Sequence, residues 1–261
     1  MISIITPVFN ALDFIDNTIA MVLRQTYSDW EWIIVEDGST DGTREKLREL
    51  KDSKNLDSRI RIILTDDNDA GAAGARNIGL DNATGRYIAF LDADDVWMPD
   101  KLKHQIEFME EKGIGFSFTS YEFGDDRAIG TGRVVRAPKT LNYRRALSRT
   151  VIFTTTTMFD TTIVDKKLIY MPHVASEDTA TWWQILRTGI VAYGLDEILA
   201  IYRRPAKSLS SNKFLAIKRI WYLYRQVEGL GRIQSGALLI GWAVRATLRR
   251  ISVIRKLLRE R

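Results

Sequence analysis

Three aspartates, Asp92, Asp94 and Asp95, stand directly after Tyr87-Ile88-Ala89-Phe90-Leu91, a run of aromatic and aliphatic residues. A run of this kind reads as a buried parallel strand, and open α/β sheets place ligands at the carboxyl ends of such strands. Carboxylates crowded there repel one another unless a cation sits among them. Hard oxygen donors at this spacing suit Mg²⁺ or Mn²⁺, with substrate phosphates completing the shell. An acidic turn before a helix begun by Pro99-Asp100 is the plainer reading of the same residues, and this stretch alone leaves both standing. Asp37 follows a second strand-like run, Trp30 to Val35. It either accepts hydrogen bonds from a ligand or simply forms the turn before Gly38.

The elements that must carry these acids alternate. Ser3-Ile4-Ile5 opens a strand, and Leu12, Ile15, Ile19, Val22 and Leu23 recur at helical spacing after it. The second strand ends in a turn-rich loop whose Ser39, Thr40 and Asp41 can cap a charged helix from Arg44 to Lys51. Arg61 to Leu64 reads as a third strand, Ala70 to Asn82 as a third helix, and the acidic strand comes fourth. A helix with Leu102, Ile106 and Met109 on one stripe follows. This alternation over residues 1–112 predicts a parallel sheet with helices on both faces. Beyond it, strands are expected at Phe116 to Phe123, Arg133 to Arg136, Val151 to Phe159, Val191 to Tyr193 and Leu199 to Tyr202, with a helix over Thr179 to Thr188. No linker divides the halves, so residues 1–212 are expected to form one domain.

Composition narrows the chemistry. The 261 residues contain no cysteine, which excludes disulfides, thiolate metal sites and a cysteine nucleophile. With two histidines, His104 and His173, a histidine-rich zinc centre is disfavoured. The N-terminal residues lack a basic stretch followed by a long apolar one, the pattern of a signal peptide, so a cytoplasmic protein is expected. The first strand-to-helix loop, Thr6-Pro7-Val8-Phe9-Asn10, has no glycine, and no Walker A sequence occurs. That loop is poorly suited to cradling phosphate; it suits a base or ribose, with Phe9 as an apolar wall and Asp37 as acceptor.

Five pieces stand in one order: Ser3 to Asn10, Gln25-Thr26-Tyr27-Ser28-Asp29-Trp30-Glu31, Val35 to Thr43, Ala75-Arg76-Asn77-Ile78-Gly79, and Gly85 to Asp95. With Ser176-Glu177-Asp178 downstream, they resemble family 2 glycosyltransferases of the GT-A fold, nearest to bacterial enzymes of teichuronic acid, capsule and surface-polysaccharide assembly. The resemblance is dense to residue 112 and thinner to about residue 212. It implies an α/β fold with a mostly parallel Rossmann-like sheet, a UDP- or dTDP-sugar donor, a lipid-linked glycan acceptor and Mn²⁺ or Mg²⁺. Residues 1–112 would form the nucleotide-sugar half of the domain and 113–212 the acceptor half. Thr6, Pro7, Phe9 and Asp37 would then line the nucleoside pocket, with Ala93 and Arg76 also facing the donor. Asp92 and Asp94 would be the Asp-x-Asp pair that holds the metal, with Asp95 a helper or helix cap. Asp178 would be the catalytic base of an inverting transfer, beside Glu177, although both acids also suit the cap of a helix begun by Ser176. Glu36 stands where aspartate is usual in the family and Phe9 where tyrosine is usual.

Trp182 and Trp183 offer faces for an acceptor sugar; adjacent helical residues point about 100° apart, so at most one can serve. Arg203, Arg204 and Lys207 form a basic loop able to close over a diphosphate, without the histidine often found there in the family. Residues 213–261 carry 12 Lys/Arg against 2 Asp/Glu, whereas 1–212 carry 26 against 31. This tail reads as two basic amphipathic helices broken near Gly229-Leu230-Gly231. Its apolar run is short of the roughly 20 residues a membrane span needs. It suits an anionic membrane surface, at the inner face of a bacterial membrane; packing on the domain or a homodimer is the alternative. No nucleic-acid recognition motif accompanies the charge. A nucleotidyltransferase, or a non-catalytic nucleotide-binding module with a membrane- or partner-binding tail, are the competing functions.

Overall fold

The computed structural model describes residues 1–65, 71–203 and 213–259, with the side chains of the last stretch described from 214 to 245. In chain order the elements are β1 (Ile2–Val8), α1 (Ile15–Leu23), β2 (Trp30–Glu36), α2 (Thr43–Asp52), β3 (Ile60–Leu64), α3 (Gly71–Asn82) and β4 (Tyr87–Phe90). They continue with β5 (Val96–Trp97), α4 (Lys101–Lys112), β6 (Phe116–Gly124), β7 (Gly130–Val135), β8 (Thr140–Leu141), α5 (Tyr143–Ala146) and β9 (Thr157–Asp160). Last come α6 (Glu177–Arg187), β10 (Ala192–Arg203), α7 (Lys213–Tyr222) and α8 (Arg232–Arg259).

One sheet runs β3-β2-β1-β4-β9-β6-β10-β5. Its first four strands are parallel, as the alternation predicts. β9 then runs antiparallel between β4 and β6, and β6 pairs in parallel with β10, so the sheet continues as a mixed one. Both faces are covered. Ile2, Ile4, Trp32 and Ile34 meet α1, α2 and α4 residues such as Val22, Leu47 and Ile106, while Ile5, Ile33 and Val35 belong to the opposite core with Leu80, Trp182 and Trp183. The strict two-residue alternation of a strand divides Ile4 from Ile5 in this way. Burial of both faces explains why these strands read as continuous apolar runs.

Several expected elements shift, each for a local reason. Val151 to Phe159 is not one strand: Thr154–Thr156 forms a 3₁₀ turn and only β9 pairs. Hydroxyls of Thr156 and Thr157 donate to the carbonyls of Phe153 and Thr154 at 2.6 and 2.8 Å, the local bonding that competes with a ladder. The two strands expected after α6 are one, β10, with register shifts against β6 between Leu195 and Ala200; bulges of this kind interrupt the apolar alternation. α6 begins at Glu177 rather than Thr179. Ser176 precedes it in a left-handed conformation with no side-chain cap bond, so it does not cap the helix as expected. The start of the predicted third helix, Ala70, lies outside the described residues.

Lys101 is fully buried at the start of α4. Its Nζ lies 3.8 Å from the Trp97 ring centroid and, among the described residues, has no hydrogen-bond partner. Burial pushes this amine well below the ordinary lysine range. The unfolded chain therefore holds the proton more tightly, and stability rises with pH up to the ordinary lysine value near about 10.4. Lys101→Met is expected to add about 1–3 kcal/mol at neutral pH and to flatten that rise, read from urea unfolding at neutral and alkaline pH. A less stable variant would mean that the aromatic contact outweighs desolvation.

Candidate active site

The carboxyl ends of β1, β2 and β4 meet the N-terminal half of α3 around a cleft of about 450 Å³. The loop after β1 is stitched to the loop after β2. Backbone N–H groups of Asn10, Ala11 and Leu12 donate to Ser39 Oγ, Thr43 Oγ1 and Asp41 Oδ2 at 2.9, 3.0 and 3.1 Å, and Asn10 Oδ1 accepts from Thr40 N–H at 2.9 Å. These bonds hold Asn10 in the left-handed region and leave Phe9 59% exposed at the cleft wall. Glu36, the departure from the family's aspartate, is fully buried and uses its extra length locally. It accepts from Ser39 N–H at 2.5 Å and pairs with Arg44 at 2.5 Å, which fixes the β2 loop.

Pro7, Phe9, Asp37, Arg76, Asp92, Ala93 and Asp94 all line the cleft. Thr6 does not. It points into the sheet, where its hydroxyl accepts from Trp32 Nε1 at 2.8 Å, because the alternation that turns its neighbour toward the cleft turns Thr6 inward. Gly71, Ala72 and Ala75 also line the cleft and were missed. Their sequence signal was a run of small residues opening a helix, which brings backbone N–H groups and a positive dipole end near a ligand.

The acids after β4 are held from below. Thr155 Oγ1 accepts from Asp92 N–H at 3.2 Å and donates to Asp95 at 2.6 Å. Asp95 also accepts from Arg203 N–H at 3.1 Å. It is buried, and its carboxyl is pushed well up by that burial and by Asp94 and Asp92. Asp95 is therefore a buttress inside the turn, not a helix cap. Asp94 is pushed up to about 6, first by burial and then by the charge of Asp92. Two crowded oxygen-donor carboxylates opening into a cleft fit a hard divalent cation, whose charge would relieve the repulsion. Among the described residues no group of three or more His, Cys, Asp or Glu converges, so such an ion would complete its shell with substrate oxygens.

Arg76 joins this side of the cleft to α6. It is 5% exposed and pairs with Asp92 at 2.6 Å and Glu177 at 3.0 Å. Burial opposes its charge, but these two anions prevail and drive it further toward the charged form. Facing the cleft and pinning a helix are thus one role. Asp178 follows Glu177, half-buried, with Thr154 Oγ1 at 3.5 Å. Its carboxyl is pushed up by burial first and Glu177 second. A helix N-terminus ordinarily favours the anion, but here desolvation prevails and leaves a carboxylate with appetite for a proton.

Neither tryptophan faces an open acceptor site. Trp182, 3% exposed, stacks on Phe159 at 5.5 Å, and Trp183, 1% exposed, lies parallel to Tyr224 at 5.3 Å. The helical angle separates them, but core covers both directions. Arg203 is committed too. Its Nε donates to Asp94 O and its Nη1 to Asp126 O, each at 2.6 Å, tying β10 to the acidic turn. Arg204, Lys207 and the serine-rich stretch to Asn212 lie outside the described residues.

Residues 3–166 match the family model for glycosyl transferase family 2. TuaG of Bacillus subtilis, a glycosyltransferase named for teichuronic acid biosynthesis, is 41% identical over 252 residues, spanning 96% of this chain and 98% of its own. WfgD of Escherichia coli, a UDP-Glc:α-D-GlcNAc-diphosphoundecaprenol β-1,3-glucosyltransferase, is 40% identical over 222 residues, 85% of this chain and 84% of its own. Among solved structures, the mannosyltransferase PcManGT of Pyrobaculum calidifontis, in complex with GDP-Man and Mn²⁺, superposes with a TM-score of 0.69 at 18% identity, over 94% of this chain and 73% of that one. The 1–349 fragment of S. aureus TarS with UDP-GlcNAc gives 0.67 at 17% identity, over 93% and 71%. At such identities the two structures establish the shared GT-A fold.

Arg76→Gln is expected to cost roughly 3 kcal/mol of unfolding free energy, because it leaves Asp92 and Glu177 facing each other without a counter-charge. Denaturant unfolding reads this directly. An unchanged midpoint would mean that burying the guanidinium costs as much as its two ion pairs return.

Proposed function

We propose that this chain, which belongs to glycosyl transferase family 2, moves a sugar from a nucleotide-diphospho-sugar to a hydroxyl of a lipid-linked bacterial surface-polysaccharide precursor, with inversion at the anomeric carbon. The observation that carries this reading is Arg76, one buried cation bridging the cleft carboxylate Asp92 and the Glu177 that precedes the desolvated Asp178. Donor and base are thereby held on one frame, the positioning that a displacement needs.

The nucleoside lies between Phe9 and Asp37, with Pro7 beneath it, and the diphosphate reaches toward Ala93 and the start of α3. Asp94 and Asp92 would hold a divalent cation, Mn²⁺ or Mg²⁺, which would supply positive charge against the departing diphosphate. Arg76 adds a fixed cation on the same wall and orients Asp92. Asp178 accepts the proton of the acceptor hydroxyl as its oxygen bonds to the anomeric carbon. The bond from that carbon to the diphosphate oxygen breaks, and the nucleoside diphosphate leaves with the electron pair. A single displacement turns an α-linked donor into a β-linkage, the linkage named for the WfgD relative, or a β-L-linked donor such as dTDP-rhamnose into an α-linkage. A lipid-linked acceptor puts the reaction at the cytoplasmic face of the membrane.

A panel of nucleotide sugars, assayed with lipid-linked acceptor for nucleoside diphosphate release, tests the class: one donor is expected to respond, and chelator to silence it. Nucleotide binding without release from any donor would favour a non-catalytic module. Asp94→Ala is expected to abolish release while the fold persists; retained release would remove the metal assignment.

Asp178→Asn is expected to lower kcat/KM by about 10²–10⁴. In the parent, kcat/KM should rise with pH through the upward-displaced carboxyl range, since the base works deprotonated. The variant should lose the Asp178 contribution to that limb, and any limb that remains reports Asp94, which is pushed up to about 6. Undiminished kcat/KM in the variant would assign the base elsewhere.

A further inference from the structure

The C-terminal helices are apolar on two opposite sides. On α8, Leu238, Leu239 and Trp242 pack against the core that contains α6, and Trp242 Nε1 donates to Thr150 Oγ1 at 3.1 Å. On the other side, Ile233 is 91% exposed, Ile240 67% and Val244 51%, spaced as one outward stripe. On α7 Phe214, Leu215, Ile217, Trp221 and Tyr222 are exposed, while Ile220 is buried. A helix apolar on both sides needs a cover for the outer one. Among the described residues no helix is long and apolar enough to cross a membrane, so the outer stripe calls for a surface rather than a span.

Charge decides between the two available covers. α8 carries seven Lys/Arg and no Asp/Glu, and residues 213–261 together carry 12 against 2. A second copy of this segment would bring the same net positive charge and be repelled. A bilayer rich in anionic headgroups offers the complementary charge and an apolar layer for Ile233, Ile240, Phe214 and Trp221.

We propose that α7 and α8 lie flat on an anionic lipid bilayer, with this outward stripe inserted and the basic residues against the headgroups. The inference rests on the lipid-linked acceptor proposed above and adds an orientation. α6, which begins at Glu177 and Asp178, is fastened to the π-helical segment that joins the docked helices, Leu223–Val227 and the Glu228 after it, by the Trp183–Tyr224 stack and by Arg187 on Glu228 at 3.1 Å. Tyr224 donates its hydroxyl to Leu147 O, which pins the same block to the chain before β9. The helix carrying the base is thereby held at a fixed attitude to the surface where a lipid-linked hydroxyl arrives.

The test is co-sedimentation of the full chain with phosphatidylcholine vesicles, with and without phosphatidylglycerol, in the absence of donor and acceptor. Binding is expected only with phosphatidylglycerol and is expected to weaken with salt. The double variant Ile233→Gln, Ile240→Gln is expected to bind at least ten-fold less while keeping the parent's thermal transition. Equal binding by parent and variant would overturn the inserted stripe. Parent sedimentation at twice the chain mass, lost in the variant, would overturn it in favour of self-association. Vesicle binding with no sugar transfer would sink the transferase reading alone, whereas transfer without vesicle binding would sink this inference alone.

Discussion

The guanidinium of Arg76 is the constraint on which the rest of the site depends. It is almost wholly buried, and a buried cation persists only where fixed anions surround it. Asp92 comes from the end of β4 and Glu177 from the start of α6, elements far apart in sequence. The parallel half of the sheet cannot drift relative to α6 without stranding a charge. Removing one partner costs more than the pair ever contributed, and that asymmetry makes the arrangement stiff.

Around that cation the carboxylates are kept few and dry. Asp95 is spent on Thr155 and the Arg203 backbone, which leaves Asp92 and Asp94 to the cleft. Burial raises Asp94 and Asp178 by the same physics, yet their neighbours give them different prospects. Asp94 is crowded by Asp92, a situation that a divalent ion resolves. Asp178 lies behind Glu177, whose charge is already claimed by Arg76, and is left to meet a proton. One electrostatic frame thus supports two chemically distinct carboxylates.

The tail belongs to this frame through aromatic contact. Trp183 and Tyr224 lie parallel, with Trp182 one residue away stacked on Phe159 in the same core. A pair of adjacent tryptophans that reads as a sugar platform in the sequence is a double anchor in the fold.

By itself the sequence determined the alternation of strands and helices to residue 112, the placement of Asp37, Asp92 and Asp94 at strand ends, and the family. These come from local periodicity and from motifs whose residues are neighbours in the chain. Phe9, Pro7 and Ala93 were legible for the same reason, since the carboxyl end of a strand presents its neighbouring residues to the cleft. Tertiary structure alone decided that Thr6 turns away to bond Trp32, that Ser176 caps nothing, and that Arg203 is held by backbone carbonyls. It also decided that β10 is one bulged strand and that both tryptophans are buried. Apart from the left-handed backbone of Ser176, each of these depends on a partner tens of residues away, and periodicity carries no record of such partners. The α3 residues at the cleft escaped for a related reason: Gly71, Ala72 and Ala75 act through space and backbone dipoles, which side-chain chemistry does not announce.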